Sequence, residues 1–291
     1  MKMFEESKLF AESWNVAWRK KPSGGILSDC KTEFIVLKNG FRYWAADPFI
    51  FEYNNEVYIF AELYDYIKRR GVLGYYKLEG KSRGKWKPII VEDYHMSYPN
   101  IFRMGDEVFI MPESNACSEL YMYRAVKFPD KWEKCNKLRI GVEYADTTPF
   151  EWNGEKKALT YRVTDPYHPE LLLLDLEDCT HDRKLELPNV ERRRSAGNVF
   201  EYKGKRIRPA QDCVEDYGTG IIFYEYGMTS NGEYYEDEVL ELKPEQLVLS
   251  HTLYLTGMHT YNCTENYEVI DIKTRRFNLL NFIFRLVGKV L

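Results

Sequence analysis

Residues Trp44 to Glu62 read WAADPFIFEYNNEVYIFAE, and this stretch decides the fold. An apolar run is followed by a polar turn from Tyr53 to Glu56 and by a second apolar run, which is the pattern of a β-hairpin. A carboxylate lies at each open end of the hairpin, Asp47 just before it and Glu62 just after it. The hairpin therefore places two acids at one end of a sheet.

The same pattern recurs along the chain. Aligned on Pro48, Pro99, Pro149 and Gly197, the copies follow one another at steps of 51, 50 and 48 residues. Asp47 to Glu62, Tyr98 to Glu113 and Ala196 to Gln211 each span 15 residues, whereas the third copy is expected to have a shorter turn. The later copies are SYPNIFRMGDEVFIMPES (Ser97–Ser114), TTPFEWNGEKKALTYR (Thr147–Arg162), SAGNVFEYKGKRIRPAQ (Ser195–Gln211) and a degenerate HTYNCTENYEVIDIK (His259–Lys273).

The length and composition of the repeat predict the fold class. A strand-rich repeat of about 40 to 50 residues is typical of a β-propeller blade, whereas solenoid repeats of similar length are helical. Five copies in 291 residues predict an all-β, five-bladed β-propeller over residues 1–275. Blades are stable only when they stack on one another. Residues 1–40 precede the first repeat and are available as a lead-in that closes the last blade.

The C-terminus departs from the repeat. Residues 276–291 are predicted to form a short basic amphipathic helix, with Arg285 and Lys289 on one stripe and apolar residues elsewhere. Such a helix suits an anionic membrane surface, which Phe277–Leu291 would contact as a peripheral anchor. The alternative is a helix that packs on the side of the propeller or on a partner subunit.

Composition limits the function classes. The net charge of −4 argues against nucleic-acid binding, which would require a basic face. The N-terminus lacks the apolar core of a signal peptide, so the six cysteines are expected to be free thiols and the chain cytoplasmic. No C-x-x-C pair indicates structural zinc, no metal site is predicted, and no cofactor can be named from the sequence.

Candidate site residues follow from the geometry of a propeller, whose innermost strands bring their ends together in one axial funnel. Asp47, Glu62 and Glu113 are the predicted catalytic carboxylates, because neighbouring acids push each other's pKa values apart and so divide the roles of acid and base. Arginines near the funnel would suit a phosphate or carboxylate of the substrate. The predicted substrate-binding residues are Tyr98, Asp146, Arg162, Arg194, Arg208, Gln211, Asp212 and His259.

The quoted repeats, together with LYMYRAVKFPDKW and RPAQDC, resemble the five-bladed propeller region of glucosamine inositolphosphorylceramide transferases. That region is itself similar to family 43 glycoside hydrolases. The resemblance covers roughly residues 30 to 275 and implies a carbohydrate-active propeller, in which the Asp-Pro of the first blade (Asp47-Pro48) carries the general base. Tyr98-Pro99 stands where the hydrolases have a second Asp-Pro, so that carboxylate is missing here.

Three functions remain open at this point. The first is glycosyl transfer in the assembly of a cell-surface polysaccharide or glycolipid, with a sugar or sugar-phosphate substrate. The second is hydrolysis of glycosides, as in family 43. The third is a non-catalytic glycan-binding propeller, because the plant transferases that the chain resembles carry a separate glycosyltransferase domain.

Overall fold

The structure is a computed structural model that describes residues 10–79, 84–162, 169–178, 181–251 and 254–277. Four short 3-10 turns occur among these residues, at Gly25–Leu27, Asn115–Cys117, Val190–Arg192 and Pro244–Gln246. The strands are, in chain order, β1 (Phe10–Lys20), β2 (Ile35–Val36), β3 (Tyr43–Tyr53), β4 (Glu56–Asp65), β5 (Arg70–Leu78), β6 (Lys87–Ile90), β7 (Ser97–Met104), β8 (Glu107–Glu113), β9 (Glu119–Lys127), β10 (Lys131–Ile140), β11 (Tyr144–Trp152), β12 (Glu155–Arg162), β13 (Glu170–Asp175), β14 (Asp182–Lys184), β15 (Arg194–Ser195), β16 (Phe200–Tyr202), β17 (Lys205–Asp212), β18 (Gly220–Met228), β19 (Tyr234–Leu242), β20 (Leu255–Gly257), β21 (Tyr261–Cys263) and β22 (Tyr267–Phe277).

These strands form five antiparallel sheets, one for each repeat. Four sheets run in simple chain order: β3-β4-β5-β6, β7-β8-β9-β10, β11-β12-β13-β14, and β15-β17-β18-β19 with β16 also paired to β17. The fifth has the order β2-β1-β22-β20, with β21 also paired to β22. The five-bladed β-propeller predicted from the repeat is confirmed.

The fifth blade joins the two ends of the chain. Strand β1 pairs with β22 along its whole length, from Phe10 opposite Phe277 to Lys20 opposite Tyr267. Because the N-terminal strand enters a sheet built mostly from C-terminal residues, the ring of blades is fastened by main-chain hydrogen bonds. Arg276 and Phe277 belong to β22, so the helix predicted over 276–291 is wrong at its start; residues 278–291 lie outside the described part of the chain.

The apolar core lies between the blades. Each of five buried clusters joins two neighbouring sheets, and the contact between the first and last blades is one of them. Phe49, Phe60, Tyr98 and Ile110 fill the space between the first two blades, and Val16, Ile59 and Val269 fill the space between the last and the first. Burial of both faces of each sheet explains why strands such as β13 (ELLLLD) read as continuous apolar runs.

Tight turns fix the register of the inner hairpins. The residues that flank the turns pair directly, Tyr53 with Glu56 and Trp152 with Glu155 among them, so the connections of the first four hairpins are all two residues long. Asn54 and Asn55 both have positive φ, as type I′ turns require. The shorter turn expected in the third copy is therefore wrong.

Two further properties of the described residues bear on function. Their five cysteines (Cys30, Cys117, Cys135, Cys213 and Cys263) are free thiols. Among the same residues, no helix has the length and apolar character that crossing a membrane requires.

Candidate active site

A β-bulge recurs at the start of the inner hairpin in the first three blades. The register slips between Ala46 and Phe49 in the first blade, and equivalent slips occur in the second and third. The first bulge residue is Asp47, Tyr98 or Asp146, and all three have φ between 45° and 50°. Positive φ is uncommon outside glycine, and bulges of this kind redirect a side chain. The strained residue in each blade is the one that carries a polar group to the axis.

This register corrects the alignment of the third copy. Asp146, and not a residue of the Thr147–Pro149 segment, is the structural equivalent of Asp47. Counting 15 residues from Asp146 gives Tyr161, so Tyr161 takes the place of Glu62 and Glu113. Arg162 is one residue further along β12, where side chains point to the opposite face of the sheet. It pairs with Glu170 at 2.7 Å and with Asp182 at 3.3 Å, within its own blade.

Asp47 is held by donors from three directions. It is 5% exposed. Its carboxylate accepts hydrogen bonds from the backbone N–H of Tyr98 at 3.2 Å and from the Thr260 hydroxyl at 3.0 Å, and it lies 3.4 Å from Nε2 of His259. Burial raises the pKa of Asp47 to about 6, although the charge of His259 acts to lower it. The pKa of Asp47 thus lies above the ordinary range of an aspartate, in the direction that suits a general base.

Glu62 lies in the same cluster, and one of its two carboxyl oxygens lacks a hydrogen-bond partner among the described residues. It is 5% exposed, and its Oε1 atom is fully buried without a donor or acceptor among the described residues. Burial raises the pKa of Glu62 well above its ordinary value, and the charges of Asp47 and Glu113 raise it further. A raised pKa favours the protonated form of the carboxyl group, which is the form that a general acid requires.

Glu113 and Asp146 form a third acidic group, which is bridged by an arginine. Arg194 Nε donates to Asp146 at 2.6 Å and Arg194 Nη2 to Glu113 at 3.2 Å. Gln211 also donates to Asp146 at 2.7 Å, and the backbone N–H of Asp146 donates to Glu113 at 3.2 Å. Burial and the charge of Asp146 raise the pKa of Glu113 well above its usual range. Because Arg194 already pairs with two carboxylates, it is poorly placed to neutralise an anionic ligand as well.

His259 lies between two carboxylates of the fifth and first blades. Its Nδ1 is 2.6 Å from Asp271, and its ring stacks on Trp14 with 4.0 Å between the ring centroids. Burial lowers the pKa of His259, but Asp271 and Asp47 outweigh it, so the pKa is raised overall. The two carboxylates thus favour the protonated form of His259.

Among the described residues, Asp47, His259 and Asp271 are the group best placed to hold a metal ion. One ligand atom from each of Asp47, His259 and Asp271 lies within 4.8 Å of the other two, and carboxylate oxygen with imidazole nitrogen is a common donor set. In the structure Nε2 of His259 lies 3.4 Å from Asp47 and Nδ1 lies 2.6 Å from Asp271, and a metal ion would take the place of these pairings.

Polar side chains also form hydrogen bonds from one blade to another. The Tyr98 hydroxyl accepts a hydrogen bond from the backbone N–H of Gly197 at 2.8 Å and bonds the Thr148 hydroxyl, so it links the second blade to the third and fourth. In addition, Asn100 donates to Asn198 at 2.7 Å and Asn262 donates to the Pro48 carbonyl at 2.8 Å. These bonds tie the blades together, and Tyr98, which is fully buried, is a structural crosslink.

Two of the predicted substrate-binding residues lie elsewhere. Arg208 is fully buried against Glu236 at 2.6 Å and the Arg193 carbonyl, and Asp212 pairs with Lys243 at 2.8 Å. Both are an odd number of residues from Gln211 on β17, so they point to the other face of that strand. They join Arg162 as corrections, because an odd offset in a strand reverses the side chain.

The structure also brings in residues that the repeat could not identify. Asp271 accepts hydrogen bonds from the backbone N–H groups of His259 and Thr260 at 2.9 Å and of Asp47 at 3.1 Å. In the sequence, Asp271 is the lone acid in the apolar run VIDI, and this is the signal that could have identified it. Tyr217, from the loop after β17, is 41% exposed and lies edge-on to His259, 5.1 Å between centroids, with the Arg194 guanidinium 5.4 Å from its ring. No repeat position marks Tyr217.

Comparison with known proteins is consistent with the resemblance seen in the sequence. Residues 28–164 match the family model described as glucosamine inositolphosphorylceramide transferase 1, N-terminal. The protein of that name from Arabidopsis thaliana is 30% identical over 213 residues, which are 67% of this chain and 27% of the relative. The protein of the same name from Oryza sativa subsp. indica is 27% identical over 211 residues, 66% of this chain and 27% of the relative. The chain thus spans about a quarter of the length of these relatives.

Solved structures share the fold at low sequence identity. The catalytic domain of a Coprinopsis cinerea GH62 α-L-arabinofuranosidase superposes with a TM-score of 0.61 at 9% identity, covering 90% of this chain and 97% of the other. The RS223 β-xylosidase superposes with a TM-score of 0.55 at 12% identity, covering 82% and 94%. The resemblance to the transferase propeller region, and the likeness of that fold to glycoside hydrolases, are confirmed.

Proposed function

We propose, from the resemblance to the N-terminal region of glucosamine inositolphosphorylceramide transferases, that this propeller is a carbohydrate-active enzyme that makes or breaks a glycosidic bond. Asp47 acts as general base or nucleophile and Glu62 as general acid. The observation that carries the proposal is the Glu62 carboxyl, which is buried, unpartnered at Oε1 and subject to the charge of Asp47. Glycosidic chemistry needs such a pair, one group to protonate the leaving oxygen and the other to act on the sugar or on water.

The acid and base assignments follow from the surroundings of each group. Asp47 receives two hydrogen bonds and the charge of His259, all of which favour its ionised form. Oε1 of Glu62 receives no hydrogen bond from the described residues, and burial together with the charge of Asp47 favours the neutral form of Glu62. Glu113 is held by Arg194 and the Asp146 backbone N–H, which suits a supporting electrostatic role better than proton delivery.

The charge balance favours an uncharged or amine-bearing sugar over a sugar phosphate. Of the three arginines expected to neutralise a phosphorylated donor, only Arg194 reaches the carboxylates, and it is bonded to two of them. Arg162 and Arg208 are paired within their own blades. A phosphate group brought next to Asp47 would meet its negative charge, while the nearby basic groups among the described residues, Arg194 and His259, already pair with carboxylates.

Tyr217 and its neighbours supply a surface against which a sugar ring could lie. Tyr217 is the aromatic residue of the cluster that is also exposed at 41%, and its edge contact with His259 fixes the ring. Aromatic rings offer flat apolar area next to a polar tip, which matches the alternating apolar and hydroxylated faces of a sugar. An open funnel leading to this ring remains a prediction from the fold, as do a cytoplasmic location and a membrane contact through Phe277–Leu291.

A non-catalytic glycan-binding role is the second candidate. It is favoured by the coverage, since this chain corresponds to 27% of the length of the Arabidopsis relative. A propeller of this size could present a glycan to catalytic residues encoded elsewhere. The two candidates differ in one respect: binding without turnover would be unaffected by loss of a proton donor.

The test is turnover by the purified chain, with matched carboxyl variants. Aryl glycosides, oligosaccharides and activated sugars, amine-bearing sugars among them, are assayed for product with wild type, Asp47→Asn and Glu62→Gln. General acid–base groups contribute about 10²- to 10⁴-fold, so each variant should lose turnover on that scale. Glu186→Gln is the control, because Glu186 is 83% exposed at the surface. Binding of a glycan without any product from wild type would support the second candidate and reject the first.

A further inference from the structure

His95 lies next to Glu62, in the segment that leads into β7. Its Nε2 atom is 3.7 Å from Oε1 of Glu62, the same oxygen that has no hydrogen-bond partner. The side chain of His95 is 42% exposed and that of Glu62 is 7% exposed, so the pair extends from the buried cluster towards solvent. No repeat position and no motif of the sequence assigns His95 a role.

The orientation of His95 is fixed by one backbone residue. Gly71 donates its N–H to Nδ1 of His95 at 2.9 Å, and its carbonyl accepts from the backbone N–H of Met96 at 3.2 Å. Since Nδ1 accepts a hydrogen bond, it carries no proton, and the proton of the neutral ring must be on Nε2. The N–H of that ring therefore points towards Glu62. Burial lowers the pKa of His95, in keeping with a neutral imidazole.

We propose that His95 is the positioning residue of the general acid: its Nε2–H group receives the carboxylate that forms when Glu62 delivers its proton. The proposal rests on the role of Glu62 given above. Before the transfer, Glu62 is neutral and needs no charged partner, which fits a separation longer than a hydrogen bond. As the proton moves from Glu62 to the leaving oxygen, negative charge develops on Oε1, and the 3.7 Å gap closes to a charge-assisted hydrogen bond.

The other groups that act on Glu62 all oppose its ionisation. They are the carboxylates of Asp47, Glu113, Asp271 and Asp146, from four different strands. Arg194 is directed at Glu113 and Asp146, and His259 at Asp47 and Asp271. Among the described residues, His95 is thus the donor within reach of Glu62, and an acid surrounded by like charge depends on one such donor to release its proton.

Two substitutions separate the contacts that His95 makes on its two sides. His95→Gln places an amide N–H where Nε2 stood and keeps a donor for Glu62. His95→Asn leaves an amide oxygen near the position of Nδ1, so it keeps an acceptor for Gly71 but loses the donor. If His95 only supported the backbone, Asn would be the milder change. If it serves Glu62, Gln would be the milder change.

The experiment measures the pKa of Glu62 directly, by ¹³C NMR of carboxyl-labelled glutamate, with the signal assigned from its loss in Glu62→Gln. Loss of a donor to the ionised form raises a carboxyl pKa, so we expect an upward shift of about one unit, a tenfold change in the ionisation constant, in His95→Asn. His95→Gln should stay within a few tenths of a unit of wild type. An unchanged pKa in His95→Asn, or an equal shift in both variants, would overturn the proposal.

This measurement needs no substrate, so it separates the proposal from the function on which it builds. A wild-type protein without turnover, but with the His95-dependent shift, would reject the enzyme and retain the contact. Where turnover is found, the alkaline limb of the pH–rate profile, which reports the acid, should move to higher pH in His95→Asn and return in His95→Gln.

Discussion

Asp47 and Asp146 occupy the same bulge position in the first and third blades, and both have a φ of 50°. Left-handed backbone at a residue with a side chain is unfavourable, and aspartate tolerates it better than most residues do. The same strain in two blades, and in Tyr98 between them at 45°, indicates that the bulge is what turns each polar group towards the axis. The site therefore depends on backbone geometry that the repeat imposes.

The hydroxyl of Tyr98 is predicted to stabilise the ring of blades. Tyr98→Phe removes the acceptor of the buried Gly197 N–H and the partner of Thr148. A buried donor left without a partner costs about 1 to 3 kcal/mol, so the free energy of unfolding should fall by that amount in urea titration. Tyr254→Phe, at a residue 76% exposed, is the control and should leave stability unchanged. Equal stability of Tyr98→Phe and wild type would exclude the crosslink.

Gly71 is predicted to tolerate no side chain. A Cβ atom there would lie 2.4 Å from Oε1 of Glu62 and 2.4 Å from the Met96 carbonyl oxygen, and the carbonyl belongs to the backbone and cannot rotate away. Gly71→Ala should lower stability by about 1 to 3 kcal/mol, the usual cost of overpacking, and should displace Glu62. Gly40→Ala is the control, since nothing lies within 4 Å of that position. Thermal unfolding of the two variants compares them directly.

Arg194 is predicted to contribute far more to the free energy of unfolding than a surface arginine with similar partners does. Arg194→Met leaves Asp146 and Glu113 without a counterion in a buried site, which costs about 3 to 5 kcal/mol. Adding Asp146→Asn should restore part of the loss, because it removes one of the stranded charges. Arg124 also bridges two carboxylates, Glu107 and Glu133, but at 45% exposure. Arg124→Met should change stability by no more than about 1 kcal/mol in the same urea titration.

The raised pKa of Asp47 predicts how stability depends on pH. Its pKa is about 6 in the folded protein against 3.8 for the free group, so between these values the folded state holds more protons than the unfolded state. Stability from this group is then fully present below about pH 4 and falls as the pH rises to 6, by up to about 3 kcal/mol. Asp47→Asn lacks this ionisation, so its unfolding free energy should rise relative to that of wild type as the pH increases across that window. A difference independent of pH would contradict the assignment.

The sequence predicted the parts of the site that depend on the repeat. Five hairpins with Asp47, Glu62 and Glu113 at their open ends follow from counting residues. The predicted substrate-binding residues that also meet in the cluster are Tyr98, Arg194, Gln211 and His259. These residues lie at or beside equivalent hairpin ends, which is why one-dimensional spacing was sufficient.

The errors came from strand parity and from alignment on proline. Aligning Pro149 with Pro48 shifted the third copy by two residues, which favoured Arg162 over Tyr161. Along a strand, one residue of offset reverses the face, so Arg162, Arg208 and Asp212 point into other ion pairs. The bulge register, which only the paired strands reveal, gives Asp146 its place.

The remaining residues were outside the reach of sequence reasoning. Tyr217 and His95 lie in connecting segments, where no period relates one blade to another, and their positions depend on how those segments fold back on the axis. The Arg194 bridge between Glu113 and Asp146 joins two blades and could be seen only once both were placed.

The central claim is that acids distant in sequence share one site, and the pKa of Glu62 tests it most directly. The measurement is a ¹³C NMR titration of Glu62 in wild type, Asp47→Asn and the Glu186→Gln surface control. Since the charge of Asp47 raises the pKa of Glu62, removing that charge should lower the pKa of Glu62 markedly, while Glu186→Gln leaves it in place. A Glu62 pKa that is the same in all three proteins would mean that the two carboxylates do not share a site, and the proposed acid–base pair would be wrong.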